Sequence, residues 1–154
     1  MKIVVQRVKR ASCTVDGVLV SQIGQGLLAF VGVAAEDTEE DLRKGSAKLA
    51  GLRIFENDEG KLSLSASDVG GEVMIISNFT LLGRVRRGFR PDCTHAARPE
   101  QAKPMYDAFC DAVAEVLPVA RGVFGADMQI ETVLDGPVNL VIDTGELIRQ
   151  ERNA

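Results

Sequence analysis

Val73-Met74-Ile75-Ile76-Ser77-Asn78-Phe79-Thr80-Leu81 decides how this chain is built. Its first four residues are apolar without alternation, the pattern of a strand covered on both faces. Residues 73–81 are therefore predicted to be a buried strand whose distal half turns polar. Working outward, residues 27–33 form a second continuous apolar run and a second buried strand. Residues 2–8 read as a strand with Ile3, Val5 and Arg7 on one face. Residues 11–15 and 18–23 flank Asp16-Gly17, a hairpin signal. Residues 38–52 read as a helix: Thr38 can cap it, Glu39, Glu40 and Asp41 suit its positive end, and Leu42, Leu49 and Leu52 lie near one face. Asn57-Asp58-Glu59-Gly60 is a turn. A second helix ends near Leu117, with Met105, Phe109, Val113 and Val116 at helical spacing. Pro104 in it either sits in the first turn or kinks it. Residues 126–134 alternate as a half-exposed strand, and 138–142 form the last one. The order β-β-β-β-α-β-α-β-β predicts an α+β domain with a curved, barrel-like, mostly antiparallel sheet and two helices.

The 154 residues are 45% hydrophobic, enough for one domain over 1–154 that buries roughly 70% of its unfolded surface. No repeat, low-complexity tract or linker divides them. No apolar run approaches the roughly 20 residues of a membrane helix, and Met1 to Arg7 does not read as a signal peptide. Cys13, Cys93 and Cys110 are scattered and odd in number, which fits a reducing cytoplasm better than a disulfide framework. The net charge is -4, whereas a non-specific DNA coater is normally basic. A local patch still suits phosphates: Arg84, Arg86, Arg87 and Arg90 lie in a polar connection over 83–99, and loops of that length are often functional.

The candidate chemistry is sparse. His95 is the only histidine, so a His-rich metal site is excluded, and no cofactor or metal is expected. The chain has no P-loop, G-x-G-x-x-G or G-x-S-x-G. Cys93 and His95 are either a thiolate–imidazole pair or two ordinary loop residues; side chains two apart on an extended chain have little specificity. Ser77, Asn78 and Thr80 arrive at the edge of a core, where polar groups need partners. They are either a strand end satisfying nearby backbone or part of an oxyanion site. In the second case the backbone N–H groups of Phe79 and Thr80 would face a developing negative oxygen, each donor stabilising it by about 3–4 kcal/mol. Asp135-Gly136-Pro137 interrupts the last strand-like region. It either turns a hairpin or holds a cis Gly-Pro bond, found in about 5–6% of X-Pro bonds. Arg7 either snorkels to solvent or gives its donors to carbonyls at the core edge.

Several stretches resemble one family in order. They are I-V-V-Q-R-V-x-R-A-S-x-T-V from Ile3, G-x-G-L-L-A-F-V-G-V, L-R-I-F, G-G-E-V-M-I-I-S-N-F-T-L, R-G-F-R-P, F-G-A-D-M-Q-I and D-G-P-V-N. They resemble the bacterial D-aminoacyl-tRNA deacylases over essentially the whole chain. Ser77 to Leu81 matches the family's S-Q-F-T-L with Asn78 in place of Gln. Residues 134–139 match N-x-G-P-V-T with Leu134 for Asn and Asn139 for Thr.

The resemblance implies a cytoplasmic homodimer with its site at the subunit interface. Ser77, Phe79 and Thr80 would be catalytic, helping form the pocket for the aminoacylated 3′ adenosine of tRNA. Asn78, Gly136, Pro137 and Arg7 would bind substrate. Gly136 and Pro137 of one subunit would enter the partner's pocket and reject L-amino acids, with Arg7 fixing their orientation. The implied reaction is hydrolysis of D-aminoacyl-tRNA, and of glycine mischarged on tRNA-Ala, with the terminal ribose hydroxyl assisting. No DNA or membrane partner is implied. Phe124 and Met128 also fall in matching sequence, where core packing is the expected role. The alternatives are a non-catalytic dimer that holds tRNA ends, and a hydrolase dependent on Cys93.

Overall fold

The computed structural model describes residues 1–152. A long hairpin organises them. Strand β1 (Lys2–Val15) is continuous, where the sequence suggested two strands. It turns at Asp16 and Gly17, whose φ values of 49° and 77° are the left-handed pair that a two-residue hairpin demands. β2 (Val18–Ile23) and β3 (Gly26–Gly32) return along β1 antiparallel, from Val15 opposite Val18 to Lys2 opposite Gly32. Helix α1 (Glu39–Gly51) follows, its first turn held by Asp41, whose carboxylate accepts from the Thr38 N–H at 2.9 Å. β4 (Phe55–Glu56) and β5 (Leu62–Leu64) make a small separate hairpin.

β6 (Glu72–Ser77) then lies parallel to β3. Helix α2 (Pro99–Ala114) packs over the sheet and ends three residues short of Leu117. Its helical start is Pro99, so Pro104 lies inside the helix rather than in its first turn. β7 (Val119–Arg121) is parallel to β6, and β8 (Gln129–Asp143) runs antiparallel along the other edge of β1. The path β2-β1-β3-β6-β7 coils until its ends meet, where the Ser21 hydroxyl donates to the Arg121 carbonyl at 2.8 Å. The sheet is thus nearly closed into a barrel, the expected architecture.

Among the described residues there are three helices rather than two. Residues 144–152 form α3, which the sequence did not suggest because its apolar positions are few. Its start is fixed tertiarily: the Thr144 hydroxyl donates to Asp41 at 2.5 Å and is itself fully buried.

The continuous apolar runs have a direct cause. Leu27, Ala29, Val31, Val73 and Ile75 face a core shared with Leu49 of α1 and Phe109 and Val113 of α2. Leu28, Met74 and Ile76 point the other way, into a second core with Val8, Ala11 and Cys13 inside the curved sheet. β3 and β6 are covered on both faces and have no solvent side on which polar residues would alternate.

Candidate active site

Because β3 and β6 are parallel, both end at the same edge of the sheet, with Val31 opposite Ser77. The Asn78 N–H extends the ladder by one bond, to the Val31 carbonyl at 2.8 Å. The chain then leaves the sheet in a 3-10 turn over Phe79–Leu82. The predicted strand over 73–81 therefore stops at Ser77, and Asn78 supplies the reason. Its Oδ1 accepts from the Thr80 N–H at 3.2 Å and from the Thr80 hydroxyl at 2.5 Å. A short amide caps the residue two positions on; glutamine, one methylene longer, is not a residue of that turn.

This corrects the expected pair of donors. The Thr80 N–H is occupied by Asn78, whereas the Phe79 N–H makes no hydrogen bond among the described residues. The Thr80 hydroxyl is likewise directed at Asn78, and no basic side chain among the described residues hydrogen-bonds to it. Gly32 sits directly behind this turn: a Cβ there would lie 2.9 Å from the Asn78 carbonyl oxygen.

Ser77, Asn78 and Phe79 line a cavity of about 660 Å³, within the size range of small-ligand sites. Thr80 follows at its margin, exposed and outside the lining. Much of the remaining lining is apolar, including Phe30, Ile76, Phe124, Met128 and Ile130. Phe124 and Met128 do pack against the two cores, as expected, but each also lines the cavity. The two-residue period that sets Met128 and Ile130 on one face was the available signal. Cys93, Ala96, Ala97 and Arg98 also line it, and Arg98 is the single charged residue of the lining among the described residues.

The second motif lies elsewhere in the chain. β8 does not turn at Asp135; it continues past it paired with β1. Gln6 faces Asn139 and Val8 faces Leu134, so residues 135–138 bulge opposite Arg7 alone. The Gly136–Pro137 bond within the bulge is cis, and both residues are exposed. Arg7 does not snorkel. It is 6% exposed, donating from Nη1 to the Ile54 carbonyl at 2.8 Å and from Nε to the Asp135 carbonyl at 3.1 Å, with the Asp135 carboxylate 3.5 Å away. A buried guanidinium satisfied by two carbonyls braces the base of the bulge. Arg7, Gly136 and Pro137 are not part of the cavity wall of their own chain.

The Cys93–His95 pairing is not formed. Cys93 lines the cavity, but the His95 ring makes no hydrogen bond to it among the described residues, and the His95 carbonyl accepts from the Ala35 N–H at 3.0 Å. The other two thiols are structural: Cys13 and Cys110 are buried, and burial pushes Cys110 up to about 11. No three His, Cys, Asp or Glu side chains among the described residues gather as a metal-ligand set. No helix among them is long and apolar enough to cross a membrane.

Residues 4–143 match the family model of the D-Tyr-tRNA(Tyr) deacylases. The chain belongs to that family. It is accordingly a hydrolase that deacylates D-aminoacyl-tRNA. Two solved structures give the comparison in three dimensions. A c-Myc DNA unwinding element binding protein is 39% identical, superposes with a TM-score of 0.88, and covers 93% of this chain and 98% of its own. A probable eukaryotic D-amino acid tRNA deacylase has a TM-score of 0.80 at 17% identity, covering 92% of this chain and 98% of its own. At that identity the second likeness shows a shared deacylase fold.

Proposed function

We propose that this deacylase edits chirality at the 3′ end of tRNA, taking the aminoacylated terminal adenosine into the cavity beside Phe79. The observation that carries this reading is the free Phe79 N–H at the wall of a mostly apolar cavity. The ester carbonyl oxygen accepts from that N–H, which strengthens as the oxygen becomes negative. One such donor is associated with about 10²–10³ in rate. Asn78 holds the Thr80 end of the turn, so the donor is fixed before substrate arrives. Ser77 and Phe79 position the ester. Water adds to the carbonyl carbon, the bond to the ribose oxygen breaks, and the terminal ribose hydroxyl assists the proton transfer. The products are free D-amino acid and tRNA.

Gly136 and Pro137 then act as the selector, entering the cavity of a second copy and leaving no room for an L side chain. Glycine, with no Cβ, escapes this exclusion, so glycine mischarged on tRNA-Ala is also a substrate. A homodimer is supported by the apolar surface around the bulge on β8, where Leu134, Leu140 and Val141 are all exposed. The reaction belongs to the cytoplasm, where tRNA is charged. No side-chain nucleophile takes part. Cys93→Ser should therefore hydrolyse D-Tyr-tRNA at the wild-type rate; loss of activity would make this a thiol enzyme.

A second reading has specific support. Asn78, Leu134 and Asn139 depart from the family's motifs, and the 39%-identical structure is that of a c-Myc DNA unwinding element binding protein. In that reading the dimer holds nucleic-acid ends without cleaving them.

A further inference from the structure

Four of the 18 Lys and Arg side chains fall within residues 84–90, and no acidic residue lies among them. The segment is a projection closed at its base. The Arg84 N–H donates to the Asp92 carbonyl at 2.8 Å and the Asp92 N–H returns to the Arg84 carbonyl at 2.9 Å. Everything from Val85 to Pro91 is exposed. Phe89 is fully exposed at 105% and Val85 is 71% exposed. Asp92, at the base, has its carboxyl held below the usual range first by the Thr94 N–H and then by His95 and Arg84. Arg86, Arg87 and Arg90 form no ion pair among the described residues.

An aromatic face in open water among unpaired guanidinium groups is the combination that binds single-stranded nucleic acid. The ring stacks on a base and the cations hold the phosphates. A duplex offers phosphates but no free base face. The position of the projection adds to this. Its two stems lead from cavity residues, Asn78 and Phe79 on one side and Cys93 and Ala96 on the other. It therefore rises beside the cavity lining, on the side where a strand held at Phe79 can meet it. We propose that Phe89 is a stacking platform for an unpaired base just upstream of the terminal adenosine, with Arg86, Arg87 and Arg90 on the adjoining phosphates. The assignment of the upstream base rests on the cavity holding the terminal adenosine.

The test uses the full chain and two kinds of probe. With D-Tyr-tRNA, Phe89→Ala should raise KM about tenfold, within the range for loss of one stacked base, at unchanged kcat. Phe89→Trp should restore KM. Hydrolysis of the D-Tyr ester of adenosine alone should be unaffected by either. Arg86→Ala, Arg87→Ala and Arg90→Ala together should flatten the salt dependence of KM. An unchanged KM for Phe89→Ala on tRNA overturns the proposal, as does an equal loss on the adenosine ester. The second probe is an uncharged RNA strand ending in C-C-A, followed by fluorescence anisotropy. Phe89-dependent binding of that strand in preference to its duplex supports the platform even if no D-ester is cleaved, in which case the cavity assignment alone fails. Equal binding of strand and duplex overturns it. So does a change in sedimenting mass on Phe89→Ala, which would make the projection a contact between copies.

Discussion

Gly136→Ala is expected to reduce the preference for D- over L-aminoacyl esters by about tenfold or more, ~1.4 kcal/mol of discrimination, while RNA binding persists. Gly136 has φ of +134°, a region L side chains rarely adopt. A Cβ there would lie 2.7 Å from the Val138 nitrogen, 2.9 Å from Val138 Cγ2 and 3.3 Å from Arg7 Nη2. The first contact is with backbone, so the bulge itself must move, at a cost of about 1–3 kcal/mol. The two closest atoms belong to the element assigned to chiral rejection, and Arg7, buried against Ile54 and Asp135, limits where that element can go. The ratio of D- to L-Tyr-tRNA hydrolysis rates reads this directly, and a denaturation midpoint keeps selectivity separate from stability. A wild-type ratio in the folded variant would remove Gly136 and Pro137 from selection.

The second large effect is expected at Gly32. Its missing side chain leaves the space in which the 3-10 turn rests. A Cβ would approach Leu82 Cδ2 to 2.4 Å and the Asn78 carbonyl oxygen to 2.9 Å. The Leu82 side chain can rotate away, but the Asn78 carbonyl is main chain and is followed directly by the Phe79 N–H. Gly32→Ala should displace that donor and lower kcat about 10²-fold, the effect of one misplaced oxyanion donor. Gly24→Ala is the control, since nothing lies within 4 Å of a Cβ there and its φ is ordinary. It should retain full activity. A folded Gly32→Ala enzyme with unchanged kcat would show that catalysis does not depend on the placement of Phe79.

How far these features were legible depends on the range of the interactions behind them. The hairpin at Asp16-Gly17 and the Thr38 start of α1 are local, and both stand where the residues indicate. The buried runs at 27–33 and 73–76 announced two covered faces, and both faces are covered. The end of β6 was misplaced because Thr80 and Leu81 look like strand residues. A side-chain bond from Asn78 decides otherwise, and it also occupies one of the two expected donors. β1 and β8 looked interrupted, yet each is continuous because it pairs along the other, and only the partner reveals that residues 135–138 are a bulge opposite Arg7. Arg98 and Ala97 were invisible as cavity lining, since the start of α2 meets the ends of β3 and β6 only in three dimensions.

The most direct measurement is hydrolysis of D-Tyr-tRNA and L-Tyr-tRNA by the purified protein beside a protein-free control. Rapid loss of the D-ester with the L-ester intact is the predicted result. Loss of both would contradict chiral selection, and survival of both by a folded protein would contradict the catalytic role given to Phe79 and favour the reading in which nucleic-acid ends are held without cleavage.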